Sequence, residues 1–316
     1  MRPANPNQPC LREHNALLHG RRWVVLLLVS FVAVSIIRAA DERDAPRLIS
    51  LAPSLTELVY ALGVEGHLVG RSSACDYPAD TLSVPVVGGF GRPNREALQG
   101  ARPDVVIATD LEKSGLMRDL EQRGITALIL PCESWADLVA AARAIGAALG
   151  EEAKAEAWVD QLEQRRENLR AWVARHGGER DPPAVYVEVW GRPIMTAGGD
   201  AFLDEVIADA GGRNIGGGLK GRYQSVSSEW VIGENPDIIL LAYMLGDMRP
   251  AEAIRQRIGW ASIAALRHDR LIDTIDPDLL LRPGPRLIDG AEQLAREIHA
   301  KGRGGQSGGE VSSRQP

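Results

Sequence analysis

The sequence predicts an α/β protein: two lobes, each with a largely parallel sheet, bridged by one long rigid α-helix. Three observations predict it. Short apolar strands alternate with helical stretches from Arg47 to Pro131 and again from Ala184 to His299. Between these blocks, Ser134–His176 reads as helix nearly throughout. A stretch of the first block also reappears in the second, 133 residues later. At 316 residues the chain is long enough for two domains of ~100–200 residues each. The expected organisation is a signal peptide or N-terminal anchor at 1–40, an N-terminal lobe at 41–133, the linking helix at 134–177, a C-terminal lobe at 178–301 and a disordered tail at 302–316.

The first forty residues read as an address. Arg21-Arg22 precedes fifteen uncharged residues, Trp23 to Ile37, then Arg38-Ala39-Ala40 and an acidic start, Asp41-Glu42. A basic region, a short apolar run and small residues near a cut form a secretory signal. The alternative is an uncleaved anchor, although the run is shorter than the ~20 residues that span a bilayer. No later apolar run reaches spanning length. Cys10 precedes the apolar run, so it is not a lipobox cysteine.

In the first lobe, Leu48–Ala52 reads as a strand. Pro53 opens a helix to Leu62 that stops at Gly63, with Ser54 as N-cap and Glu57 three residues on. His67–Gly70, Pro85–Val87, Asp104–Thr109 and Thr126–Leu130 read as further strands, and Leu111–Arg123 as a helix. Such alternation implies a sheet covered on both faces. Ser134 caps the linking stretch, which is rich in strong helix formers and carries inside it only Gly146 and Gly150. Unbroken, it would run ~60 Å as a rigid strut between the lobes, with Gly150 the place where it could break. The second lobe begins with the strand Ala184–Trp190 and the helix Phe202–Ala210. A glycine-rich loop at 211–221, read as flexible backbone, is followed by a helix at Ser228–Ile232. The strand Asp237–Ala242, helix Ala251–Arg257, strand Arg270–Ile275 and helix Pro285–His299 complete it.

The repeat is specific. Asn94–Leu98 precedes Arg102-Pro103-Asp104 and an apolar strand; Ser228–Val231 precedes Asn235-Pro236-Asp237 and another. Glu96 and Glu229 open the two short helices at equivalent positions. For either glutamate alone, a favourable interaction with the helix macrodipole is sufficient explanation; the pairing points to a shared role.

Composition and motifs narrow the function. With 45% hydrophobic and 25% charged residues, the chain is ordinarily globular. The first forty residues hold five Arg and one Glu, leaving 31 basic and 41 acidic groups, net −10, in 41–316. That acidity argues against nucleic acid, whose binding draws on basic surface. There is no G-x-S-x-G elbow and no H-E-x-x-H pair, the histidines are scattered, and Lys220 lacks the glycine a phosphate loop places before it. No catalytic residue, resident cofactor or metal site is therefore expected, and an exported α/β enzyme is the distant alternative. Cys75 and Cys132 follow strands; after export they either pair as a disulfide or stay as two buried thiols.

Arg47-Leu48-Ile49-Ser50-Leu51-Ala52-Pro53-Ser54-Leu55-Thr56-Glu57 resembles the opening of the iron-chelate and cobalamin periplasmic binding proteins of ABC importers. Asp76-Tyr77-Pro78, Asn94–Leu98 before Pro103-Asp104, the linking helix and Arg282-Pro283-Gly284-Pro285-Arg286 fit in order and spacing over about 47–300. The resemblance implies Rossmann-like lobes, a ligand held between them, small closure on binding and a monomer in the periplasm, or tethered to the inner membrane if the signal is uncut. It implies that Glu96 and Glu229 dock into arginine pockets on a permease dimer in the inner membrane. It also implies a ligand site at Tyr77, Phe90, Trp190, Tyr223, Asp278 and Arg282. Aromatic faces suit a flat corrin, and Asp278 can accept hydrogen bonds from its amide edge. Cobalamin or a related corrinoid is the expected ligand. Haem, with Tyr77 as the candidate iron ligand, and ferric siderophores, with Arg92, Arg192, Arg222 and Arg282 as candidate anion binders, are the rivals.

Overall fold

A computed structural model of the chain describes residues 45–110, 114–178, 181–243 and 250–300. The expected signal or anchor and the expected disordered tail lie outside the described residues. No helix among the described residues is long and apolar enough to cross a membrane.

The first lobe runs β1 (Leu48–Ser50), α1 (Pro53–Ala61), β2 (Leu68–Arg71), β3 (Gly88–Gly89), β4 (Arg92–Pro93), α2 (Arg95–Ala101), β5 (Val105–Ala108), α3 (Ser114–Gln122) and β6 (Thr126–Ile129). Four strands form a parallel sheet in the order β2-β1-β5-β6. Successive side chains of a strand point to opposite faces, and both faces here are apolar. Leu48, Val105 and Ile107 join one core cluster with the buried residues of α1; Ile49, Val106 and Ala108 join another with Leu98 of α2 and Leu116, Met117 and Leu120 of α3.

Two local expectations are corrected. Pro85–Val87 is not a strand: Val86 makes one isolated bridge to Arg71, and pairing resumes as the two-residue ribbon β3–β4. Ser54 does not cap α1 either. Ala52 is the cap residue and makes no side-chain cap bond, and proline opens the helix, where its missing N–H costs nothing. Ser54 and Glu57 are buried inside α1 instead.

In place of the single long helix expected at 134–177, the linking stretch is two helices, α4 (Trp135–Leu149) and α5 (Glu152–His176). Ser134 caps α4 by accepting from the Asp137 amide at 3.0 Å. Gly150 takes the left-handed conformation, φ 72°, and ends it, as a glycine does without a Cβ penalty. The helices then fold against each other. Arg143 and Glu156 pair at 2.8 Å, although thirteen residues of straight helix would separate them by ~20 Å. A Cβ on Gly146 would sit 2.6 Å from the Ala155 methyl, so glycine permits this approach. Leu138, Ala142, Ile145 and Leu149 of α4, and Val159, Leu162 and Leu169 of α5, belong to one core cluster that also contains residues of both sheets. The bridge is thus packed onto both lobes rather than spanning open solvent.

The second lobe runs β7 (Ala184–Gly191), β8 (Ile194–Ala197), α6 (Phe202–Asp209), β9 (Arg213–Asn214), β10 (Tyr223–Ser225), α7 (Ser228–Glu234), β11 (Ile238–Leu241), α8 (Pro250–Arg255), α9 (Ala264–Arg267), β12 (Leu271–Ile272), α10 (Asp278–Leu281) and α11 (Leu287–His299). Its sheet is mixed: β9, β11 and β12 run parallel to β7, while β8 and β10 add an antiparallel edge. Glycine-rich 211–221 is not slack. A Cβ on Gly198 would lie 2.1 Å from the Gly221 carbonyl oxygen, so backbone is wedged against backbone. At the heart of this lobe, Glu188 on β7 is fully buried. It accepts two bonds from Arg257, both 2.6 Å, one from Tyr186 at 2.8 Å, and one from Tyr243.

The repeat survives in three dimensions. α2 and α7 have seven residues each, capped by the side chains of Asn94 and Ser227. Both end in a left-handed residue, Arg102 and Asn235, with φ 48° and 47°. The aspartates that follow, Asp104 and Asp237, accept from amides where the neighbouring strands begin, those of Arg47, just before β1, and Ala184, the first residue of β7, each at 2.8 Å. Glu96 and Glu229 are the second residues of their helices and both are exposed.

Candidate functional site

Residues that follow parallel strands converge on one cavity of about 700 Å³ between the lobes. The first lobe supplies Ala52–Ser54 after β1, Ala74 after β2, Thr109-Asp110 after β5 and Cys132-Glu133 after β6; the second supplies the β7–β8 hairpin, Phe202, Arg222 and Tyr223; α10 and its C-terminal flank supply Asp278 and Leu281–Pro283. Carboxyl ends of parallel strands are where open α/β sheets bind ligands, because loops there can vary without disturbing the sheet.

Five of the six expected ligand residues line this cavity: Phe90, Trp190, Tyr223, Asp278 and Arg282. Phe90 and Trp190 are 41% and 39% exposed, large apolar faces left open to the space between the lobes. The Trp190 indole N–H already donates to the Arg192 carbonyl at 2.9 Å, so its ring face is what remains to offer. Burial pushes the Tyr223 phenol up to about 12, keeping it neutral. Thr109 also lines the cavity, and its buried hydroxyl has no hydrogen-bond partner among the described residues. Tyr77 does not line the cavity; its ring lies under the Arg286 guanidinium, 3.8 Å away.

Charge is gathered in two clusters that join the lobes. Arg282 pairs with Asp76 at 2.5 Å and with Asp278 at 3.0 Å, and lies 3.6 Å from Glu57. Arg286 holds Glu57 through two bonds of 2.6 and 2.7 Å. The bond from Arg282 holds the Asp76 carboxyl below the usual range. On another part of the wall, Arg222 reaches across to Glu133 at 2.7 Å and to Asp110. Burial pushes the Glu133 carboxyl up, against the pull of Arg222. Sequence reasoning missed Asp110 and Glu133, which line the cavity, and Glu57, Asp76 and Arg286, which join the charge cluster beside it. The position of Asp110 and Glu133 just after parallel strands was the available signal.

Of the two states the sequence left open for Cys75 and Cys132, the structure has the unpaired one: both are buried free thiols. Each has its own neighbour: Cys75 Sγ receives the Thr56 hydroxyl at 3.0 Å, and Cys132 Sγ lies 3.8 Å from the Leu130 carbonyl. Burial raises both thiols, Cys132 to about 12, so neither is an activated nucleophile. Among the described residues, no three His, Cys, Asp or Glu side chains are grouped to hold a metal.

Two α/β lobes, held by packed helices and enclosing an aromatic-walled cavity, define a solute-binding protein. The chain belongs to the periplasmic binding protein family, whose model matches residues 48–278. It is 32% identical over 263 residues to an uncharacterized ABC transporter substrate-binding lipoprotein of Bacillus subtilis, covering 82% of this chain and 81% of that protein. The crystal structure of the periplasmic vitamin B12 binding protein of Vibrio cholerae superposes with a TM-score of 0.68 at 26% identity, covering 80% of this chain and 96% of that one. A periplasmic heme binding protein from Pseudomonas aeruginosa superposes with 0.70 at 28% identity, covering 82% and 94%. These relatives are solute-binding proteins rather than enzymes.

Proposed function

We propose that this chain is the substrate-binding component of an ABC importer, that it captures cobalamin or a related corrinoid between its lobes, and that it delivers it to a permease dimer through Glu96 and Glu229. The observation that carries the ligand is the pair of open aromatic faces, Phe90 and Trp190, in a cavity that also offers Asp278. A corrin has a broad apolar face and an amide edge; the rings suit the first, and the acceptor Asp278 the second. The B12-binding relative supports this reading, and haem-binding relatives of equal similarity keep the fold neutral between ligands. The site is less suited to haem. Tyr77, the candidate iron ligand, lies outside the cavity lining, although its ring is exposed, and among the described residues the lining holds one tyrosine, Tyr223, and no histidine. The exported relatives and the N-terminal sequence pattern support an exported, periplasmic protein with its signal cut or kept as an anchor.

Phe90→Ala and Trp190→Ala should each weaken cyanocobalamin binding by about 1–3 kcal/mol, the scale of one buried apolar side chain, or roughly 5- to 150-fold in Kd. Both rings are substantially exposed, so melting temperature should barely move. Titration calorimetry beside thermal melts reads both quantities. Unchanged affinity with a lowered melting temperature would assign the rings to packing instead.

A further inference from the structure

Every cation in the described part of the cavity is already committed to carboxylates. Around the cavity and directly behind its wall, three arginines, Arg222, Arg282 and Arg286, face five acidic side chains, Asp76, Asp110, Glu57, Glu133 and Asp278. Of the four arginines that an anionic chelate would call on, Arg92 and Arg192 do not line the cavity. Arg282 is turned to Asp76 and Asp278, and Arg222 is held at both ends of its fork, Nη1 by Glu133 and Nη2 by Asp110. A ligand carboxylate approaching Arg222 would meet two like charges ahead of any free donor. Asp110 and Glu133 stand in the loops after β5 and β6, on the lobe opposite Arg222. They are partly exposed, with 35% and 24% of their side-chain surface open. They are placed to set the charge of the cavity rather than to hold a core.

We propose that Asp110 and Glu133 are specificity residues which, by neutralising Arg222 with an excess of negative charge, make this cavity reject anionic ligands and accept neutral or cationic ones. Rejection by misplaced charge is an established route to selectivity: a wrong partner is excluded because a like charge is left facing it. The class excluded contains carboxylate-bearing porphyrins and anionic ferric chelates; the class admitted contains amide-edged macrocycles. The inference rests on the reading above only in taking this cavity as the ligand site.

The test is the isosteric double variant Asp110→Asn/Glu133→Gln, titrated by absorbance with haemin, whose propionates are anionic, and with haemin dimethyl ester, whose side chains are neutral. Haemin should bind at least fivefold more tightly than to the unaltered protein. The diester should show no such gain, and adding Arg222→Gln should remove it. A haemin gain below fivefold, an equal gain for the diester, or a gain that survives Arg222→Gln overturns the proposal. Because both positions are partly exposed, the folded state should tolerate the changes; the single Asp110→Asn variant, which frees one end of the Arg222 fork, gives a second reading with the same sign. Cyanocobalamin titrated into the unaltered protein separates the two claims. Failure there removes the corrinoid reading, whereas the haemin comparison decides the charge rule by itself.

Discussion

Replacing Glu96 and Glu229 together with alanine should remove most ligand uptake at limiting concentration while the purified protein still binds its ligand. The two glutamates stand at matched positions on two seven-residue helices, each exposed and each just inside a capped N-terminus. Backbone N–H and the Ser227 hydroxyl hold the Glu229 carboxyl below its usual range, so it stays charged at neutral pH. An exposed charge pair contributes only ~0–1 kcal/mol. A charge pair desolvated in an interface costs ~2–5 kcal/mol when one partner is cut. Two such contacts, one on each proposed permease subunit, would put the expected loss well beyond tenfold, at ~1.4 kcal/mol per decade. Uptake of labelled ligand by cells carrying each variant, beside binding to the purified protein, is the measurement. Normal uptake by the double variant, or weakened ligand binding in either single one, contradicts the docking role.

Glu188→Ala should cost about 3–5 kcal/mol of folding stability, the scale for breaking a buried ion pair by removing one partner. Arg257 would lose both of its bonds to the carboxylate, and the Tyr186 and Tyr243 hydroxyls would lose their acceptor, all within the core of the second lobe. For a domain of this size the melting temperature should fall by roughly 6–20 °C. Because Arg257 acts through Glu188, Glu188→Ala/Arg257→Ala should cost less than the sum of the singles, as contacting residues generally do. The consequence reaches the ligand. Glu188 lies two residues before Trp190 on β7, and Tyr243 follows β11, so the network braces the strand end that presents the Trp190 ring. A fall of less than about 1 kcal/mol would place the network outside the group of costly buried pairs.

What the sequence revealed, and what it hid, follows the range of the interactions. The repeat was legible because it is local: a cap, a short helix, a left-handed residue, Pro and Asp lie within eleven residues. The principal strands β1, β5, β7 and β11 were legible as apolar runs, and Gly150 as a break. β8 and β10 were missed, being short and carrying Thr196, Gln224 and Ser225 between their apolar positions; pairing to β7 and to each other makes them strands. Ser54 and Glu57 have the spacing of a capping box, yet Pro53 opens the helix and Glu57 turns inward to an arginine 229 residues away. The same distance hid the charge of the site. Arg282 and Asp76 are 206 residues apart, and Arg222 and Asp110 are 112 apart; the two arginines were named as candidate ligand binders, but nothing local ties either to its carboxylate partner. Phe90, Trp190 and Tyr223, named through their resemblance to cleft positions, line the cavity, whereas Tyr77 lies outside the lining beside Arg286, an arginine that sequence reasoning had not placed in the site.

The most direct test of the central claim is to incubate the purified protein separately with cyanocobalamin, haemin and a ferric siderophore, desalt each sample, and record its visible spectrum. The account predicts that cyanocobalamin alone is retained, one per chain, with its spectrum unaltered after release. Retention of haemin or the siderophore in its place, or recovery of a chemically changed cobalamin, would contradict it.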